Sequence, residues 1–70
     1  MDADKTYTVR FSYSGAVRLV EEAVAKHNAE GNLLIVGREI TRGKEATGVT
    51  KAYRTDRIEG GVEILEVSGG

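Results

Sequence analysis

Arginine and lysine crowd the middle of this chain, and a phosphate is the group their chemistry suits. Between Arg38 and Arg57 stand Arg38, Arg42, Lys44, Lys51, Arg54 and Arg57 against Glu39, Glu45 and Asp56, a net charge of +3, while the remaining residues carry −4. A guanidinium offers a planar fork of donors to a phosphate and can also stack on a base. A basic middle between acidic ends therefore has the footprint of a phosphate-bearing partner, if the fold gathers it onto one face. The alternative is a solvated surface of mixed charge.

Other arrangements fall short of the chemistry they suggest. Gly37-Arg38-Glu39-Ile40-Thr41-Arg42-Gly43-Lys44-Glu45 looks like a phosphate-binding loop, but it has one residue too many between the glycines, and Glu45 stands where Ser or Thr binds magnesium. Gly15, Gly31, Gly60 and Gly61 do not have the spacing of a dinucleotide fingerprint. Hydrolysis needs a nucleophile, a base and an oxyanion hole on a rigid scaffold. His27 is the sole imidazole, Ser12 and Ser14 lie in or beside a strand pattern, and no spacing joins them. Glu21 and Glu22 are adjacent, so as paired carboxylates they would point apart. With no cysteine and one histidine there is no disulfide, no thiolate nucleophile and no imidazole cluster for a metal. These features predict a binding module that is not an enzyme and needs no cofactor.

The elements that must position these side chains belong to one small domain spanning 1–70, with loose ends expected at about 1–5 and 68–70. A chain of 70 residues buries only about 60% of its unfolded surface, so its stability is marginal and a homodimer would help it. The polar start from Met1 to Lys5 and the short aliphatic run Leu33 to Val36 predict no signal peptide and no membrane span, and a cytoplasmic location is expected. The overall net charge of −1 argues against non-specific coating of nucleic acid.

Tyr7, Val9, Phe11 and Tyr13 alternate with Thr8, Arg10 and Ser12, which predicts a half-buried strand ending at a Ser14-Gly15 turn. Residues 16–29 support two readings. Val17, Val20, Val24 and His27 recur at helical spacing, with opposite charges four apart at Arg18–Glu22 and Glu22–Lys26, and propensity favours a helix packed on an antiparallel sheet. Read as extended chain, Val17 to Glu21 is a short strand, Ala23 to His27 the first arm of a hairpin, Asn28 to Gly31 its turn, and Asn32 to Val36 the return arm. Leu33 to Ile40 suits a strand covered on both faces, with Gly37 at a bend or bulge. Thr41 to Gly48 reads as an exposed loop. Val49 to Arg54 alternates as a strand whose exposed edge could pair with a partner strand or a second copy. Asp56 to Gly61 turns the chain, and Val62, Ile64, Leu65 and Val67 form a last strand whose apolar face switches at Ile64-Leu65, as a bulge allows.

The run Ala52-Tyr53-Arg54-Thr55-Asp56-Arg57-Ile58, followed by Val62-Glu63-Ile64-Leu65, resembles the closing signature of WYL domains, in which an aromatic-Arg-x-Asp-Arg-Ile segment ends an SH3-like β-barrel. Val9 to Tyr13 looks like that family's first strand, Arg18-Leu19-Val20-Glu21 like its Arg-x-Val-Glu-Pro segment, and Asn32 to Gly37 like its Trp-Tyr-Leu strand and following glycine. Glu22 replaces the family's proline, and Leu33-Leu34-Ile35 replaces the aromatic pair and leucine. The resemblance covers roughly residues 7 to 67. It implies a mainly β fold, a small, partly open SH3-like barrel of about five strands, with residues 16–28 extended.

WYL domains are regulatory or sensor modules of prokaryotic transcription factors and defence systems, and several bind nucleic acid or nucleotide-like ligands. The resemblance nominates Arg18, Arg54 and Arg57 as ligand contacts. Local charge adds Arg38 and Arg42, and Tyr13 could offer a stacking face, as could Tyr53. Flanking Asp56, Arg54 and Arg57 could instead pin the last turn through local ion pairs. Asp56 is assigned to structure, and Tyr53 and Ile58 to the core. Two functions follow as expectations. One is a small regulatory module recognising a nucleotide-like, phosphate-bearing ligand or single-stranded nucleic acid. The other is a stand-alone interaction or inhibitory protein, as from a mobile element, that binds a larger protein partner.

Overall fold

A computed structural model of the chain describes residues 1–40 and 49–69. Among the described residues five strands run in the order β1 (Lys5–Tyr13), β2 (Ala16–His27), β3 (Leu33–Glu39), β4 (Val49–Arg54) and β5 (Ile58–Gly69), with a 3-10 turn, Thr55–Arg57, before the last. They form one antiparallel sheet ordered β4-β3-β2-β1-β5, which does not close into a barrel. No α-helix occurs among the described residues. The exposed loop expected from Thr41 to Gly48 lies outside them.

The first strand forms as its alternation predicts: Tyr7, Val9 and Phe11 are buried, while Arg10 between them is exposed. Ser14 (φ 51°) and Gly15 (φ 79°) link paired residues Tyr13 and Ala16. Two left-handed residues in a two-residue loop are the mirror-image turn whose twist suits a hairpin.

The helical alternative for 16–29 is not what forms; strand β2 occupies Ala16–His27. Its centre hydrogen-bonds to β1 on one side and β3 on the other, and Val20 and Ala23 are fully buried there. A helix would leave the donors and acceptors of both neighbours unpaired, and the β-branched Val17, Val20 and Val24 fit a pleated surface well. The charge pairs expected four apart do not form either. Arg18 turns to Glu39 and Glu22 to Arg38. Glu22 sits at φ 55°, and between Val20 and Ala23 the strand carries one residue more than either neighbour. That bulge places Val20 and Ala23 on the same face, a spacing of three that imitates a helix in sequence.

Gly37 answers this bulge from across the ladder. Its own strand keeps regular register with β4, so the bend expected at Gly37 belongs to β2 instead. A Cβ at position 37 would lie 2.7 Å from Val20 Cγ1, 2.8 Å from the Glu21 carbonyl oxygen and 2.9 Å from Ala23 Cα. Only glycine lets the bulged backbone come that close.

The β2–β3 turn is built by Asn28, whose side-chain oxygen accepts from the Glu30 and Asn32 backbone N–H groups, with Gly31 at φ 87°. In β5 the expected irregularity at Ile64-Leu65 is present: Glu66 pairs with Thr8 and Ile64 with Val9, leaving Leu65 as the extra residue. The predicted turn at Asp56 to Gly61 is shorter than expected. The chain is already strand at Ile58, and Gly60 and Gly61, at φ 81° and 88°, form a second irregularity inside β5. Of the ends expected to be loose, Lys5 pairs with Gly69 and Ser68 with Thr6, while Met1 to Asp4 lie outside the strands.

Candidate functional site

Paired residues share a face of the sheet, so the registers sort the side chains into two sets. The inner face carries Tyr7, Val9, Phe11 and Tyr13 from β1, Arg18, Val20 and Ala23 from β2, Ile35, Gly37 and Glu39 from β3, and Tyr53 from β4. Phe11, Tyr13 and Tyr53 meet edge to face, with ring centroids 4.8 to 6.5 Å apart. Such contacts add to area burial because ring edges are electropositive and ring faces electronegative.

A polar pair lies at the heart of this cluster. The Tyr53 hydroxyl donates to the Glu39 carboxylate, and both residues are buried, at 5% and 6% exposure. Arg18 lies 4.0 Å from Glu39, donates to the Tyr13 carbonyl oxygen at 3.3 Å and places its guanidinium 5.9 Å from the Tyr53 ring centre. Burial first, and the adjoining carboxylate second, push the Tyr53 hydroxyl up to about 12. In the sequence Glu39 stands out only as a charge. Its position opposite Val49, two residues beyond Gly37, makes it the inward-facing end of β3.

The nominated ligand contacts do not converge. Tyr13 belongs to the aromatic cluster and Arg18 to the interior network. Arg38 projects from the opposite, outer face, 2.5 Å from Glu21 and 3.5 Å from Glu22, and its Nε is buried without a hydrogen-bond partner. Arg54, also on the outer face, grips Asp56 at 2.7 Å. This contact holds the Asp56 carboxyl below its ordinary range and raises the Arg54 guanidinium. Arg57 is exposed on the 3-10 turn. Arg42 lies outside the described residues. Thus the nominated arginines are shared between two faces, and three of them, Arg18, Arg38 and Arg54, face carboxylates of this same chain. Tyr53 and Ile58 join the core as expected.

On the outer face β5 forms an acidic side, with Glu59, Glu63 and Glu66 opposite Ser12, Arg10 and Thr8, whereas Lys26, Arg38 and Arg54 stand over β2 to β4, with Glu21 opposite Arg38. Arg10 binds Glu63 at 2.6 Å. Two outer depressions border this acidic side. One, of about 370 Å³, is lined by Arg10, Ser12, Glu59, Gly60 and Glu63, and another, of about 220 Å³, by Thr6, Thr8, Glu21, Glu22 and Glu66. Both present more carboxylates than cations, which disfavours a phosphate.

The largest departure from a closed core is at β5. Val62, Ile64 and Val67 share the inner face with Val9 and Tyr7, yet they are 37%, 49% and 53% exposed, and the bulged Leu65 is 44% exposed. Beside them an open apolar groove of about 170 Å³ is lined by Met1, Ala25, Leu33, Ile35, Val62 and Ile64. The sequence displayed these apolar residues but carried no signal that their strand would be an edge. Strand β4, whose edge was expected to be open, does lie at the other end of the order. No family model, curated protein or solved structure matches the chain.

Proposed function

We propose that this chain is a protein-interaction module that docks a larger protein along β5. The observation that carries this reading is the row Val62, Ile64 and Val67: three apolar side chains on the inner face of a sheet, each more than a third exposed, on a strand with nothing paired to its outer edge among the described residues. An apolar row beside an apolar groove on so small a chain marks an interaction surface.

We further read the sheet as a partly open SH3-like barrel of WYL type. Support comes from the strand order, in which β5 returns beside β1 after a 3-10 turn. The Tyr53 to Ile58 segment supplies the core tyrosine, the Arg54–Asp56 clasp and the core-packed isoleucine at that corner. A second reading, a regulatory module for a phosphate-bearing ligand or single-stranded nucleic acid, draws support from Arg57, exposed beside Arg54 where β4 leads into β5.

Cross-linking mass spectrometry of the chain with a co-purified stoichiometric partner separates the two. Cross-links clustered at Val62 to Val67, unaffected by Arg54→Ala or Arg57→Ala, are expected. Binding of a short single-stranded oligonucleotide that weakens steeply with salt and is lost in those two arginine variants would overturn the interaction reading.

A further inference from the structure

We propose that β5 accepts, along Val62–Ser68, an extended segment of another protein whose residues alternate between apolar and basic. This rests on β5 being the interaction surface and adds the chemistry of its occupant. Two observations meet here. The inner face of the strand presents Val62, Ile64 and Val67, and its outer face presents Glu59, Glu63 and Glu66, of which Arg10 neutralises one. The backbone groups on the strand's outer edge have no neighbouring strand among the described residues. A strand added there would hydrogen-bond to that backbone and place alternate side chains on each face. Apolar residues would then cover the inner row, and lysine or arginine would stand beside the glutamates.

The same registers disfavour the other occupants. Pairing Val62–Ser68 with the same stretch of a second copy would bring Glu63 and Glu66 of each, four glutamates, onto one outer face, and like charges across a ladder repel. A nucleic-acid backbone would meet the same carboxylates. The positive-φ glycines Gly60 and Gly61 interrupt the ladder, so docking starts at Val62.

The test uses a synthetic peptide of about eight residues alternating valine and lysine, with the full chain as receptor. Binding is expected, weakening as salt rises and absent for the matched valine–glutamate peptide. Methylating one alternate set of peptide nitrogens should weaken binding by at least about tenfold, while methylating the other set leaves it intact, because only one set faces β5. The variant Glu63→Gln/Glu66→Lys should also lose about tenfold. The peptide comparisons leave the protein untouched, so they decide the matter even if that variant misfolds. Equal binding of the valine–glutamate peptide, indifference to both methylated sets, or no binding at all would overturn strand addition. Failure here with partner cross-links still at Val62 to Val67 removes the strand-addition inference and leaves the interaction reading. Cross-links elsewhere remove both.

Discussion

Replacing Tyr53 with phenylalanine removes one oxygen atom from the centre of the sheet and leaves the ring contacts with Phe11 and Tyr13 in place. The Glu39 carboxylate, 6% exposed, then loses its hydroxyl donor while Arg18 stays 4.0 Å away. A hydrogen bond to a charged group is worth about 1.5 to 3 kcal/mol, and burial prevents water from taking the hydroxyl's place. A chain of 70 residues has a total stability of roughly 3.5 to 10 kcal/mol, so the loss is a large fraction. The melting temperature should fall by at least about 6 °C.

The pH dependence isolates the same oxygen. The Tyr53 hydroxyl is pushed from 10.0 to about 12 by the fold. Between those values the unfolded chain releases the proton and the folded chain keeps it, so stability falls as pH rises through this window. Two units correspond to about 2 to 3 kcal/mol, fully present below pH 10 and gone above about pH 12. Urea denaturation followed by far-UV circular dichroism, near pH 8 and then in steps through the alkaline window, measures both effects. Parent and variant differ by one hydroxyl alone, so the difference between the two curves belongs to position 53. A variant within about 0.5 kcal/mol of the parent near pH 8, or one that keeps the parent's extra alkaline loss, would refute the buried pair as a source of stability.

Three further substitutions test the backbone. Gly37→Ala should destabilise by about 1 to 3 kcal/mol in urea, because its methyl must displace the bulged backbone of β2 at contacts below 3 Å; a neutral result would mean that the close approach is absent. Ser14→Asn should raise stability by a few tenths of a kcal/mol, since asparagine tolerates the left-handed conformation at φ 51° better than serine does. A drop in melting temperature would contradict the assigned turn. Glu22→Gly relieves a left-handed glutamate and gives up only an exposed contact to Arg38, so a gain of about 0.5 to 1 kcal/mol is expected, and a loss larger than about 1 kcal/mol would show that the bulge depends on the side chain.

What could be read from the chain before its fold was known came from short-range rules. Tyr7 to Tyr13 alternates without interruption because β1 has a covered face and an open one, and its pairing is nearly regular. Asn28 to Gly31 announces its turn through an asparagine that caps nearby amides and a glycine at positive φ. The doubled apolar pair Ile64-Leu65 marks a bulge because alternation cannot otherwise break. Residues 16–28 were ambiguous because the Glu22 bulge converts a period of two into a local spacing of three, and no nearest-neighbour rule distinguishes that from a helical turn.

The candidate site was legible in its side-chain types but not in its grouping. Sequence alone determined a single small cysteine-free chain, rich in strand-forming residues, with a basic middle and an acidic, apolar last segment. Only the tertiary structure decided that the basic residues would be shared between opposite faces and joined to Glu21, Glu39 and Asp56, and that Val62, Ile64 and Val67 would face inward from the last strand of the sheet. The physical reason is that the facing of a side chain depends on strand register, which a one-residue bulge inverts, and its exposure depends on which strand finds no neighbour. Both are set by pairings between residues far apart in the chain.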